Sequence, residues 1–164
     1  MPRGFEVVED KHRQHYQDVN IHGEVQRVYA KIQTPVRADK RSAGYDLFCP
    51  IDIMLLPAQK TLVFLDVKAY MEEDEVLYVY PRSSLGIKSG LMLGNTVGII
   101  DSSYYNNEGN DGNIGLSLLN TSGKGIQLKK GDRIAQGIFA KFLTADNDEV
   151  LGAERVGGFG SSGK

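Results

Sequence analysis

Three stretches of this chain gather residues whose types and spacing suit chemistry on an anionic, planar ligand. In "YPRSSLGIKSG", residues 80–90, Arg82, Ser83 and Ser84 stand in a glycine-bearing turn after a strand-like run. They offer a cation, two hydroxyls and backbone N–H groups, which is what phosphate oxygens need. The Gly-x-x-x-x-Gly-Lys-Ser/Thr order of a P-loop is absent, so an ordinary turn is the plainer reading of this stretch taken alone. In "LGNTVGIIDSSY", residues 93–104, Asn95, Gly98 and Asp101 surround an apolar "VGII", and Tyr104 follows the aspartate by three. A strand entering a hairpin could project these side chains into a pocket while its backbone hydrogen-bonds a planar ligand. Taken alone, Asp101 reads equally as a turn residue. The chain closes on "ERVGGFGSSGK", residues 154–164, with Arg155 and Phe159 among glycines and serines. Such composition makes flexible coil, and chain ends fray. An exposed phenylalanine gains nothing in water, so the alternative is a lid in which Phe159 stacks, Arg155 clamps an anion and the glycines allow close backbone approach.

The elements that must carry these residues read as strands from Arg27 onward. "RVYAKIQ" alternates; "TLVFLDVKAY" and "EVLYVYP" are rich in β-branched and aromatic residues; "IGLSLLN" and "RIAQGIFAKF" follow. Turn signals separate them at Pro50, at Pro57-Ala58-Gln59, at "NTSGKG" (120–125) and at "KKGDR" (129–133). One helical turn is expected around "SSLGIKS", 83–89, and no longer amphipathic run. The pattern predicts an all-β, single-domain, jelly-roll-like sandwich or barrel. Residues 9–26 are polar and lack periodicity, which predicts an arm or surface loop. The expected division is an N-terminal arm over 1–26, a β core over 27–153 and a Gly/Ser-rich lid over 154–164.

Composition narrows the function classes. The 164 residues suffice for one core without staples, and 41% hydrophobic and 24% charged content is ordinary for a globular protein. A net charge of -2 gives no basic footprint for nucleic acid or an anionic membrane. An anionic ligand must therefore meet local cations. The single cysteine, Cys49, excludes an intrachain disulfide, fits a reducing cytoplasm and is expected to pack rather than react. No apolar stretch reaches the roughly 18 residues of a membrane span, and the N-terminus lacks the apolar block of a signal peptide. A cytoplasmic location is expected. His12 and His15 have no third ligand nearby in sequence and are expected to be solvated rather than metal-bound.

In combination the motifs become specific. "AGYDLF" (43–48), "PRSS" (81–84), "GNTVGIIDSSY" (94–104), "GDRIAQ" (131–136) and "GGFGSSG" (157–163) occur in that order. Together they closely resemble the five-motif pattern of the trimeric deoxyuridine triphosphate nucleotidohydrolases, the dUTPases, over about residues 27–164. The resemblance implies a homotrimer that hydrolyses dUTP to dUMP and pyrophosphate with Mg²⁺, each site combining motifs from neighbouring subunits. It implies that Asp101 positions and deprotonates the attacking water. It places Asn95 beside the uracil-reading hairpin, Ile99 and Ile100 at its backbone contacts, and Tyr104 under the deoxyribose. Arg82, Ser83, Ser84 and Gln136 fall at the phosphates, and Asp46 meets magnesium through water. In the tail, Phe159 beside Gly160 stacks on uracil and Arg155 reaches the terminal phosphates.

The chain departs from the family pattern twice. The hairpin after Tyr104 is longer by about six residues, "YNNEGN" being one placement, and Arg155 precedes Phe159 by four positions where many members have five. Two other readings compete with the hydrolase. A deoxycytidine triphosphate deaminase shares the fold but needs a glutamate in the strand after the hairpin, where this chain has Ser117. A non-catalytic β-sandwich that binds regulatory partner proteins is opposed by Asp101 and the complete tail, although a regulatory role beside activity leaves no signature in sequence.

Overall fold

The structure is a computed structural model that describes residues 2–150. In chain order the strands are β1 Gly4–Val7, β2 Tyr16–Ile21, β3 Glu24–Tyr29, β4 Val36–Arg37, β5 Tyr45–Phe48, β6 Ile53–Leu55 and β7 Lys60–Phe64. Then come β8 Val67–Tyr70, β9 Glu75–Pro81, the helix α1 Ser83–Ser89, β10 Leu91–Leu93, β11 Gly98–Asp101, β12 Gly115–Asn120, β13 Ile126–Leu128 and β14 Arg133–Lys141. The fold is all-β, as the strand pattern predicts, and α1 occupies the segment 83–89 where helix was expected. That helix ends at Gly90, whose φ of 72° turns the chain and lets its N–H cap the carbonyl of Leu85.

The largest sheet has the order β11-β9-β14-β5-β4, and a second runs β10-β12-β7. Every pair is antiparallel. Alternation explains which residues the sheets bury. Along β12, Leu116, Leu118 and Asn120 face inward while Gly115, Ser117 and Leu119 are half-exposed; along β9, Leu77 and Val79 enter the core. One continuous apolar cluster joins these residues to Leu47, Leu55, Leu91 and Ile134. Leu118 is fully buried, so truncating it to alanine would cost about 2–5 kcal/mol.

Two expectations need correction. The apolar run "TLVFLDVKAY" is not one strand but two, β7 and β8, broken at Asp66. Asp66 adopts φ 56°, and its fully buried carboxylate accepts hydrogen bonds from the N–H groups of Gln14 and His15 and from Asn113 Nδ2. A polar corner is thus written into an apolar run, and local propensity gives no sign of it because its partners are distant in sequence. Residues 9–26, expected as an arm or loop, contain β2 and the start of β3, which form a two-stranded ribbon paired in register from Tyr16–Tyr29 to Ile21–Glu24. Cross-strand contacts sustain the ribbon: Arg27 binds Asp18 at 3.2 Å and its guanidinium lies 3.8 Å from the centroid of the Tyr16 ring. Ahead of it, β1 pairs with β8, so the N-terminus is built onto the core. The strand expected over "RVYAKIQ" accordingly begins earlier, at Glu24, and stops at Tyr29.

Among the described residues no helix is long and apolar enough to cross a membrane. Cys49 is buried, donates from Sγ to the carbonyl of Ile51, and has its thiol pushed up to about 11 by burial.

Candidate active site

The registers of β5, β14 and β9 bring three sequence-distant motifs to one place. Gln136 pairs with Asp46 on one side and with Tyr80 on the other, so the end of β9 delivers Pro81 and Arg82 beside both. Arg82 Nε lies 3.1 Å from Asp46 Oδ1, and Arg133 Nη1 lies 3.5 Å from Asp46 Oδ2. The Asp46 side chain is nearly buried, and a buried carboxylate is tolerated only when paired. Gln136 Nε2 donates to the carbonyl of Pro81 at 3.3 Å. A Cβ at residue 44 would fall 2.5 Å from Gln136 Oε1, so a larger residue there would displace the Gln136 side chain from its place between the first and fourth motifs.

These residues line a shallow, polar depression of about 280 Å³ that includes Ser42, Gly44, Asp46, Arg82, Ser83 and Gln136. Ser83 and Ser84 are exposed at the start of α1. Arg133 is the residue that sequence reasoning missed. It stands inside "GDRIAQ", and its pairing with Asp46 follows from the irregular register between Arg133 and Ala135, which residue types do not reveal. Larger depressions lie elsewhere, among them one between the segment 31–34 and Cys49-Pro50 and one between the β2–β3 ribbon and Lys130. Neither collects the predicted residues.

The third motif forms a separate group. Residues 94–97 make a tight turn in which Thr96 N–H donates to the carbonyl of Leu93, and Thr96 holds φ 64°, a strained conformation for a β-branched residue. Asn95 is exposed on this turn. β11 follows as an edge strand of the large sheet, paired with β9 on one side. Alternate residues of an edge strand turn N–H and C=O groups away from the sheet, so every other residue along β11 presents its backbone on the side away from β9. Ile99 is 62% exposed and Asp101 is also at the surface.

Tyr104 closes a 3-10 turn and is only 5% exposed. Its hydroxyl donates to the carbonyl of Asn113 at 2.8 Å and accepts from Asn110 Nδ2 at 2.7 Å. Tyr105 points elsewhere, donating from its hydroxyl to Glu6 Oε2.

Asp101 and Arg82 are not adjacent within one chain. Asp101 pairs with Val76, whereas Arg82 follows Pro81 at the far end of the same strand. Six residues of extended backbone separate the two levels by about 20 Å. Among the described residues no group of three or more His, Cys, Asp or Glu side chains is disposed to hold a metal ion, and His15 uses its ring in a hydrogen bond with the carbonyl of Phe64. Arg155, Phe159 and Gly160 lie outside the described residues.

The chain matches the family described as dUTPase over residues 30–163. It is 44% identical over 135 residues to the deoxyuridine 5'-triphosphate nucleotidohydrolase of Lactococcus lactis, spanning 82% of this chain and 90% of that one. The protein of the same name from Mus musculus is 37% identical over 134 residues, covering 79% and 78%. Among solved structures, the dUTPase from Streptococcus mutans superposes with a TM-score of 0.70 at 38% identity, over 88% of this chain and 99% of that chain. With a family match across most of its length, and relatives this similar along most of theirs, the chain belongs to the dUTPase family.

Proposed function

We propose that this protein hydrolyses dUTP to dUMP and pyrophosphate by attack of water on the α-phosphorus, with Asp101 as general base. The observation that carries this reading is the convergence of Asp46, Arg82, Ser83 and Gln136, from three separate motifs, around one polar depression. A triphosphate carries several negative charges that must be neutralised before and during the transition state. Arg82 and Arg133 bring cations, Ser83 and Ser84 hydroxyls, and Gln136 an amide. As the oxygen of water bonds to phosphorus, Asp101 takes its proton and the bond to the bridging oxygen breaks, so that pyrophosphate leaves. A positioned base contributes typically ~10²- to 10⁴-fold in rate.

The donor set also fits Mg²⁺. Asp46 is a single carboxylate whose oxygens already face two guanidinium groups, which suits contact with the ion through water rather than direct ligation. Magnesium commonly keeps several waters and takes its remaining ligands from substrate phosphates. When bound it would neutralise phosphate charge.

Selectivity follows from the edge position of β11. A strand backbone offers both N–H and C=O, so it can pair with uracil as a base would, while cytosine would leave groups mismatched at about 1–3 kcal/mol for each buried polar group left unpaired. Asn95 stands at the turn that precedes the pairing edge. Tyr104 is the floor beneath the deoxyribose, and its burial makes that floor unyielding. The tail acts as a lid, with Phe159 and Gly160 at the base and Arg155 at the leaving phosphates.

The separation of Asp101 from Arg82 within one chain supports a homotrimer in which one subunit supplies the phosphate depression and another the base-reading hairpin. Titration with each deoxynucleoside triphosphate, together with an assay of released pyrophosphate, tests the reading. Pyrophosphate and dUMP from dUTP alone are the expected products. Ammonia release from dCTP would indicate a deaminase, and binding without turnover a sensor.

A further inference from the structure

The residues that lengthen the hairpin after Tyr104 are not a slack tip. Asn110 Nδ2 donates to the Tyr104 hydroxyl, and that hydroxyl donates onward to the carbonyl of Asn113. Asn107 Nδ2 donates to the Tyr104 carbonyl at 2.7 Å and to Asn110 Oδ1 at 2.8 Å, while Asn107 Oδ1 accepts the N–H groups of Gly109 and Asn110. Gly112 (φ 81°) lets the loop close, since a Cβ there would fall 2.8 Å from the Tyr104 carbonyl oxygen. Tyr104 is therefore gripped at its hydroxyl and at its main chain by the loop it begins.

That loop is in turn bolted to the core and to the N-terminal segment. Lys68 Nζ donates to Asp111 Oδ1 at 2.9 Å in a nearly buried ion pair, and to Asn106 Oδ1 at 2.6 Å. Asp111 Oδ2 accepts the Glu9 N–H, Glu6 accepts the Tyr105 hydroxyl, and Asn113 Nδ2 donates to the carbonyl of His12 and to Asp66. Residues 6–12, which precede the segment matching the family, thus buttress the third motif.

We propose that Asn110 is a positioning residue for Tyr104, and that the lengthened loop with the N-terminal segment forms a brace that sets discrimination against ribonucleotides. The proposal rests on the reading of Tyr104 as the sugar floor. Steric exclusion of one hydroxyl works only if the excluding side chain cannot retreat. A ring whose hydroxyl is held on both its donor and its acceptor side, in a site closed to solvent, cannot do so without breaking two hydrogen bonds.

The test compares kcat/KM for dUTP and for UTP, together with melting temperatures, in Asn110→Asp, Tyr104→Phe, their double variant and Tyr104→Ala. Asn110→Asp retains oxygen acceptors for Asn107 Nδ2 and the Gly112 N–H while removing the donor to Tyr104. Tyr104→Phe removes that link together with the hydroxyl's donation to the Asn113 carbonyl, and keeps the ring. The expected result is a ~5- to 10-fold fall in the preference for dUTP in Asn110→Asp, the size of one hydrogen bond, and at least as large a fall in Tyr104→Phe, which loses two, with the double no worse than Tyr104→Phe. An unchanged preference in both single variants, even with a lower melting temperature, overturns the brace. If Tyr104→Ala relaxes the preference in that case, the sugar floor survives without its brace. If Tyr104→Ala leaves the preference unchanged, both ideas fall.

Discussion

Arg82 and Asp46, thirty-six positions apart in sequence, form an ion pair with Nε 3.1 Å from Oδ1, so the cation expected at the phosphates is seated by the carboxylate expected near magnesium. Arg82→Ala should therefore cost twice. Activity should fall by at least ~10²-fold through lost charge neutralisation, and stability by about 1–3 kcal/mol because the nearly buried Asp46 keeps only the longer contact to Arg133. Arg82→Lys restores charge without the Nε geometry and should recover stability better than rate. Denaturant melts beside steady-state kinetics check both; a variant with normal kcat/KM would remove Arg82 from the site.

Asp101→Asn should retain nucleotide binding and lose at least ~10²-fold in kcat, because the amide preserves shape and removes the base. Single-turnover rates at saturating dUTP measure the chemical step directly. Turnover near that of the parent protein would transfer the base to another group.

The distance along β9 between the levels of Asp101 and Arg82 makes complementation a sharp test of shared sites. Asp101→Asn chains and Arg82→Ala chains, each inactive alone, should regain measurable activity when unfolded together and refolded. A site drawing Asp101 from one subunit and Arg82 from another is intact in some mixed trimers. A site confined to one chain would stay dead in every mixture.

Burial pushes the Cys49 thiol up to about 11, so the thiolate is scarce at pH 8. Iodoacetamide at that pH should leave the folded protein unmodified by mass and label it once in denaturant. The folded protein should become reactive only as pH climbs toward the raised value. Rapid labelling of the folded protein at pH 8 would mean that the packing around Cys49 opens readily.

Much of the fold was legible in the residues themselves, and the candidate site in the family resemblance of the ordered motifs. Period-two alternation along β12 reports burial on one face of a sheet, because successive side chains point to opposite sides whatever the partner strand. Asp46, Asp101 and Gln136 were assigned through the family resemblance that the ordered motifs "AGYDLF", "PRSS", "GNTVGIIDSSY" and "GDRIAQ" carry, whereas Arg82 between a strand and two serines suggests phosphate binding by residue type. What only the tertiary structure decided depends on contacts between distant segments. Asp66 turns an apolar run into two strands because Gln14, His15 and Asn113 satisfy its carboxylate. The polar stretch 9–26 becomes a ribbon through cross-strand pairing that no single-strand pattern displays. Arg133 reaches Asp46 through a register irregularity, and Tyr104 is locked by asparagines that in sequence look like a loop tip. Hydrophobic periodicity is a local property of the chain, whereas the partner of a buried polar group is chosen by whichever distant segment the fold brings within about 3 Å, and that choice exists only once the chain has closed on itself.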